Sequence, residues 1–429
     1  MNMAGLLWAN LRQRKLNTAL NTLLLGLGIA TLVILLIFQQ QLGEHQQRNT
    51  EGLDLVAGAK GSPLQLILSA IFQVDNPTGN IPLKDAVELA QNRAVAGSIP
   101  MALGDSYEGF RIVGTTYAYP RHYQASLRDG RLWEADYEVV VGATVARERK
   151  LKIGDPIFSA HGLGADGEIH QEEPLRVVGI LNPLNAVPDR LVLCNIETVW
   201  DVHSAEKGHA GEDEDHHRDH GETSPIIPRA VDDYPDAANW FENYPDPGNR
   251  EITALLIRYS SPLAAAMLPR FINRRTNMQA ASPAAQTARL FTQLQVGFSA
   301  LQAFGWILMI TAALSIFVAL YNNLEDRRYD LAVMRSLGAS RLWLFWHIVL
   351  EGVLLSSLGL VAGLLLGHLG VAILAEAFSA KQQLTLNPWV WLGVENALIL
   401  ACLLMGALAA LIPAIRAYRT DIALVLAEG

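Results

Sequence analysis

The densest set of side chains able to do chemistry lies between Asp201 and Glu222, where the chain reads DVHSAEKGHAGEDEDHHRDHGE. Five of the chain's eleven histidines fall there, interleaved with eight carboxylates. Imidazole nitrogen and carboxylate oxygen together suit Zn²⁺ and other borderline divalent ions. The candidate ligands are His203, His209, His216, His217 and His220, with Asp213, Asp215 and Asp219. The run has almost no apolar residues, so it reads as a mobile loop, and ordering entropy opposes tight chelation there. A solubilising acidic insertion with incidental histidines accounts for the same residues, so no firmly bound cofactor is expected. Elsewhere the chain lacks a G-x-S-x-G elbow and an H-E-x-x-H pair. It also lacks the G-x-x-x-x-G-K-[ST] phosphate loop, which excludes ATP hydrolysis by that route and argues against an enzyme. Its two cysteines, Cys194 and Cys402, stand far apart and build neither a disulfide framework nor a zinc site.

The elements around this run are of two kinds. Only 17% of the 429 residues are charged. A soluble protein would carry roughly a quarter. The apolar residues gather at the two ends of the chain. Thr18 to Phe38 is uncharged, long for a signal peptide, and followed by Gln39, Gln40 and Gln41 rather than a cleavage site. Further bilayer-length runs cover 298–321, 344–376 and 389–413. Arg12, Arg14 and Lys15, then Arg327, Arg328, Arg335 and Arg341, then Arg416 and Arg419 all fall on one side of a four-span chain. Positive residues mark the cytoplasmic side. Segments 1–17, 322–343 and 414–429 are therefore expected inside, and 39–297 with the short link 377–388 outside.

The inserted segment mixes helical spacing at 64–72 and 81–94 with β-branched or alternating runs at 110–115, 138–142, 175–181, 190–193 and 253–259. The fold class is thus an α-helical membrane domain of four transmembrane helices, with an α+β extracytoplasmic domain inserted between helices 1 and 2. That domain is open to division into two lobes. The net charge of −9, drawn mostly from the insert, argues against nucleic acid as a partner. In the third span Gly359, Gly363 and Gly367 recur every fourth residue, a spacing that lets helix backbones approach closely in lipid. Packing within the chain and a subunit interface both satisfy it. Glu351, His368 and Glu395 are ionisable groups in or near the spans, where such groups are costly.

After the second span, Glu325 to Gly338 reads EDRRYDLAVMRSLG and continues Ala339-Ser340-Arg341. This resembles the cytoplasmic signature of the FtsX-like permease family, an "E-I-A-x-x-R-A-x-G-A" core. Asp330 stands for the usual Glu and Leu331 for Ile, while Arg335, Gly338 and Ala339 match. Val349-Leu350-Glu351-Gly352 is similar to the family's entry into the third span, and Pro413-Ala414-Ile415-Arg416-Ala417-Tyr418-Arg419 to its exit from the fourth. The tail departs from the pattern, with Asp421-Ile422-Ala423-Leu424 lacking the customary proline.

The resemblance, to the family that includes MacB, LolC and LolE, implies a permease dimer on two copies of a separate ABC ATPase that holds the ATP. The dimer is a homodimer or a pair of different permeases. A short helix from 326 to 337 would couple the subunits through Arg327, Arg328, Asp330, Leu331, Met334, Arg335, Gly338 and Ala339. Contact with membrane lipid, and with a periplasmic or outer-membrane protein, is also expected. The implied location is the bacterial inner membrane, with both termini cytoplasmic. The leading expectation is ATP-driven movement of the outside domain that exports or extracts lipoprotein, peptide or lipid cargo, with a link to zinc homeostasis through the histidine-rich run. The alternative is a non-transporting scaffold that transmits ATPase state to an envelope hydrolase. A metal-ion transporter fits least, because the spans lack a cluster of His, Asp or Glu.

Overall fold

The structure, a computed structural model, describes residues 12, 15–161, 174–208, 226–235, 240–242, 244, 247–379 and 386–419. In chain order the elements begin with α1 (Lys15–Thr50), β1 (Leu55–Ala59), α2 (Pro63–Ala70), β2 (Ile81–Pro82), α3 (Leu83–Ala90), β3 (Val95–Tyr107) and β4 (Phe110–Thr115). Next come α4 (Ala118–His122), β5 (Leu127–Gly130), β6 (Glu138–Val141), α5 (Ala143–Arg149), β7 (Pro156–Ile157), β8 (Ala160–His161), β9 (Leu175–Leu181), β10 (Val192–Cys194) and α6 (Ile196–Gly208). The last group is β11 (Glu251–Ile252), β12 (Ala254–Tyr259), α7 (Pro262–Arg275), β13 (Met278–Ala281), α8 (Pro283–Asp326), α9 (Arg328–Ser336), α10 (Arg341–Ser379) and α11 (Gly393–Arg419). Two compact units result, one from 1–43 with 292–429 and one from 44–291.

In the second unit the strands form a mixed sheet, ordered β13-β1-β12-β3-β4-β10-β6-β9-β5. Neighbours are antiparallel except β4 with β10 and β6 with β9, which run parallel. Successive residues of a strand point to opposite faces, and here both faces are apolar. Val56, Val113, Val140, Leu193 and Leu256 share one continuous core with α2 and Tyr119 of α4. Their neighbours in sequence enter two separate cores on the other side. Leu55, Leu255 and Ile257 pack with α3 and α7. Ile112, Val139, Val141 and Val192 pack with α5. The two lobes therefore share one sheet and differ only in what covers its second face. Strands buried on both faces lose their polar alternation, which is why β4 and β6 read as largely apolar, fully buried runs.

One buried ion pair stiffens this unit. Arg131, 1% exposed, grips Glu138 through two hydrogen bonds of 2.6 Å, Nη1 to Oε2 and Nη2 to Oε1. Burial alone would push the Glu138 carboxyl up. The guanidinium and the N–H groups of Glu134 and Ala135 outweigh it and hold that carboxyl below the usual carboxylate range.

Among the described residues four helices are long and apolar enough to cross a membrane: α1, α8, α10 and α11. Two of them run well past the apolar stretches, since α1 extends from 15 to 50 and α8 from 283 to 326. The expected start of the fourth span at Trp389 gives way to Gly393. Glu395, third in the helix, reaches back so that its Oε1 accepts the Leu392 N–H at 3.1 Å. This half of a capping box sets the boundary. The helix then continues through Pro413 to Arg419, beyond the expected end at Pro413.

A second correction concerns the loop expected from Asp201 to Glu222. Its first eight residues continue α6. Asn195 caps that helix by accepting the Thr198 N–H on Oδ1 at 3.1 Å. Val199 and Trp200 pack against the sheet. Helix propagation from this anchored start carries the helix on to Gly208.

Candidate functional site

The connection between α8 and α10 is a short helix fixed at both ends. Arg327, with φ of −113°, breaks the preceding helix, and α9 begins one residue later. At its end Gly338 takes φ of +104°. That conformation penalises any residue with a Cβ. It lets the Gly338 N–H donate to the Arg335 carbonyl at 3.0 Å and the Ala339 N–H to the Met334 carbonyl at 3.1 Å. The pair of bonds is a Schellman-type closure. Two residues later Ser340 opens α10, its Oγ accepting the Trp343 N–H at 3.1 Å. Gly338-Ala339-Ser340 thus stops one helix and starts the next.

The inner face of α9 rests on its own bundle. Ala332 is buried and Leu331 half-buried, and a shallow dimple there is lined by Leu324, Arg328, Leu331, Ala332, Arg335, Leu344 and Ala417. The exposed side presents Tyr329 and Leu337, 54% and 78% exposed. Arg327, Met334, Arg335 and Ala339 are all half-buried along the connection, and the side chain of Asp330 lies outside the described residues. Glu325, at the end of α8, ties the connection together. It pairs with Arg328 at 3.2 Å and with Arg416 of α11 at 3.3 Å, and the Arg416 guanidinium also lies 4.8 Å from the Tyr321 ring centre.

Sequence alone picks out Leu331 among the coupling residues but misses Tyr329, and it gives Glu325 and Arg416 no coupling role. The signal is present in part. Two glutamate-to-arginine contacts need a carboxylate at a helix end and arginines three residues away or on a neighbouring element. Only the first of these is visible as a spacing.

Elsewhere in this unit the long helices meet through small residues. A Cβ on Gly359 would stand 2.7 Å from Leu25 Cδ2, one on Gly363 2.6 Å from Ile29 Cβ, and one on Gly367 2.8 Å from Val33 Cβ. The stripe therefore seats α10 on α1. A further contact of α10 falls outside that stripe: a Cβ on Gly352 would meet Ala410 Cβ and the Gly406 carbonyl, each at 2.7 Å.

Several polar groups inside the bundle are taken up in pairs. Ser315 donates to Asn21 Oδ1 at 2.6 Å, and Asn323 donates to Glu351 Oε1 at 3.2 Å. His368 Nδ1 lies 2.7 Å from the Pro388 carbonyl. A carbonyl only accepts, so Nδ1 carries the donated hydrogen. The other ring nitrogen, Nε2, faces Glu395 Oε2 at 3.2 Å. That contact needs a proton on one of the two atoms.

Two family models match the chain in the order of its two parts. The MacB-like periplasmic core domain matches 18–216, and the FtsX-like permease C-terminal region matches 303–422. The chain belongs to the FtsX/MacB-like permease family. It is a multi-pass membrane protein whose family supplies the permease component of ABC transporters, a transmembrane subunit without an ATPase site of its own. Among solved structures, the periplasmic region of MacB from Actinobacillus actinomycetemcomitans is similar at 10% identity with a TM-score of 0.32, over 56% of this chain and 95% of that one. No curated protein matches.

For the permease's metal expectation, His209, His216, His217, His220, Asp213, Asp215 and Asp219 lie outside the described residues, as does the side chain of His203. Among the described residues no three His, Cys, Asp or Glu groups gather as metal ligands would.

Proposed function

We propose that this permease is a mechanical transmission subunit, which a separate ABC ATPase grips at α9 on the cytoplasmic side of a bacterial inner membrane. The observation that carries the reading is the fixing of α9 at both ends, by the Glu325–Arg328 ion pair at its start and the Gly338 closure at its end, with Tyr329 and Leu337 left exposed. A helix held at both ends moves as a body when pushed, and its exposed aromatic and aliphatic side chains suit a helix-in-groove contact. Nucleotide-driven displacement of α9 would pass to the long helices and to the exported unit. Mutual hydrogen bonding of Ser315 with Asn21, Asn323 with Glu351 and His368 with Glu395 supports transmission over conduction, since a hydrophilic path needs polar groups facing water. The working unit in this reading is two permease subunits on two ATPases, acting on a lipoprotein, peptide or lipid. The histidine-rich run would make that machine responsive to zinc.

Co-purification with a candidate ABC ATPase tests the reading. Tyr329→Ala with Leu337→Asp should abolish association and the permease's effect on ATP hydrolysis, while Leu331→Val should leave both close to wild type. Association that survives the double substitution removes α9 from the interface. Failure of every cassette ATPase to associate overturns the reading.

A further inference from the structure

Helix α7 of the exported unit has a second face that its own fold does not use. Ser261 caps it, with Oγ accepting the Ala264 N–H at 3.4 Å, and Pro262 stands in the first turn. Proline's fixed φ suits that position. Leu268 and Ile272 bury one side in the sheet's second core. Asn273 fixes the far end, its Oδ1 accepting the Ala280 N–H at 2.7 Å. With the helix held this way, Leu263, Met267 and Phe271 stand 67%, 61% and 46% exposed, at i, i+4 and i+8. Other large apolar side chains exposed in this unit among the described residues, Val74, Phe158 and Ile227, sit on separate segments. Solitary exposed apolar residues are ordinary, but an aligned row marks a contact surface.

The charges on the same helix narrow the occupant. Residues 262–275 contain Arg270, Arg274 and Arg275 and no carboxylate, in a chain of net charge −9. All three arginines are exposed, and none is ion-paired among the described residues. At about 3.6 residues per turn, Arg274 falls close to the line of the apolar row, where a fourth apolar residue would stand. The face thus carries Arg270 at the edge of its apolar row and Arg274 on the line of the row beyond Phe271. A helix lying in a membrane keeps its apolar stripe along its length with cations on the flanks. Two copies meeting through α7 would bring arginine against arginine with no carboxylate between them.

We infer that this face of α7 docks an amphipathic segment of another protein, whose apolar side chains cover Leu263, Met267 and Phe271 and whose carboxylates reach Arg270 and Arg274. The probe is a synthetic amphipathic helix with a leucine row followed by a glutamate pair, titrated against the full chain in nanodiscs of zwitterionic lipid. Fluorescence anisotropy should show it binding about ten-fold more tightly than its lysine-pair counterpart. Arg270→Glu with Arg274→Glu should invert that preference, and Met267→Asp should weaken both peptides about ten-fold. Binding that ignores the peptide's charge, or survives Met267→Asp, overturns the inference. Capture of the chain by phosphatidylglycerol vesicles in a Met267-dependent way assigns the face to lipid and overturns it too. So does a dimer, measured by mass photometry, that Met267→Asp dissociates.

Discussion

Two helices of this permease each carry a row of like residues at four-residue spacing, and the rows end differently. On α10 the glycines at 359, 363 and 367 are filled by Leu25, Ile29 and Val33 of α1. On α7 the row of Leu263, Met267 and Phe271 stays exposed, while the other side of the same helix fills a core. Spacing identifies a face in both cases. What covers the face is decided by a segment far away in sequence, here more than 300 positions for α10. Small residues invite a backbone and are satisfied by van der Waals packing. Large apolar residues in water carry an unmet gain of about 25 cal/mol per Å² of apolar area, which only a partner can supply.

The largest effect should come from closing the filled row. A Cβ on Gly363 would stand 2.6 Å from Ile29 Cβ and 2.9 Å from the Gly26 carbonyl oxygen, and a backbone atom has nowhere to move. Gly363→Leu should therefore cost about 3 kcal/mol, the upper part of the overpacking range, and lower the melting temperature of the full chain in detergent. Gly359→Leu presses mainly on the Leu25 side chain, so Leu25→Ala should recover part of the loss. Gly297, with no atom within 4 Å of an added Cβ, is the control, and Gly297→Ala should melt with the wild type. If Gly363→Leu is equally stable, α10 does not rest on α1 as described and the comparison fails.

A smaller effect separates backbone demand from space. Gly338 has open room for a Cβ, but its φ of +104° does not suit one. Gly338→Ala should cost about 1 kcal/mol of local stability, through strain at the closure of α9 rather than through a clash. Hydrogen exchange at the residue 338 and Ala339 amides reads this directly. Both should lose protection while Ile348 and Val349 in α10 keep theirs. Loss of protection across the whole of α10 would mean that the glycine holds the span rather than the turn.

The four spans were legible because an uncharged run of bilayer length, such as Thr18 to Phe38, is hard to bury in any other setting. The strands at 110–115 and 175–181 were legible from β-branched runs between turn residues, yet their order in the sheet was not. Pairing β4 with β10 depends on contacts about 80 positions apart that leave no local trace. In the candidate site, the match to the family signature singled out Gly338 and Ala339, which stand at the closure of α9. The inward turn of Leu331 was not legible, because its direction depends on Leu324, Leu344 and Ala417 from three other helices. The expected loop at 201 failed for a related reason: Asn195 and Trp200, just upstream, decide that the helix continues. Helix α7 itself went unread, although Ser261-Pro262 before an apolar run is a helix start signal.

The smallest expected effect concerns the unfilled row, and it is informative because it is small. Met267 is 61% exposed. Met267→Ser thus removes little buried area and should change unfolding free energy by no more than about 0.5 kcal/mol. Leu268, its neighbour, is 2% exposed. Leu268→Ala should cost about 2 kcal/mol, the lower end of the range for opening a cavity in a core. Thermal melts of the two variants, each in the full chain, place one turn of one helix on both sides of the comparison. Similar destabilisation by both would mean that Met267 is covered in the full chain by something it already contains, and the face would not be free for a partner. A wide gap keeps α7 as a helix whose core-facing residues serve the fold and whose outward residues await a second protein.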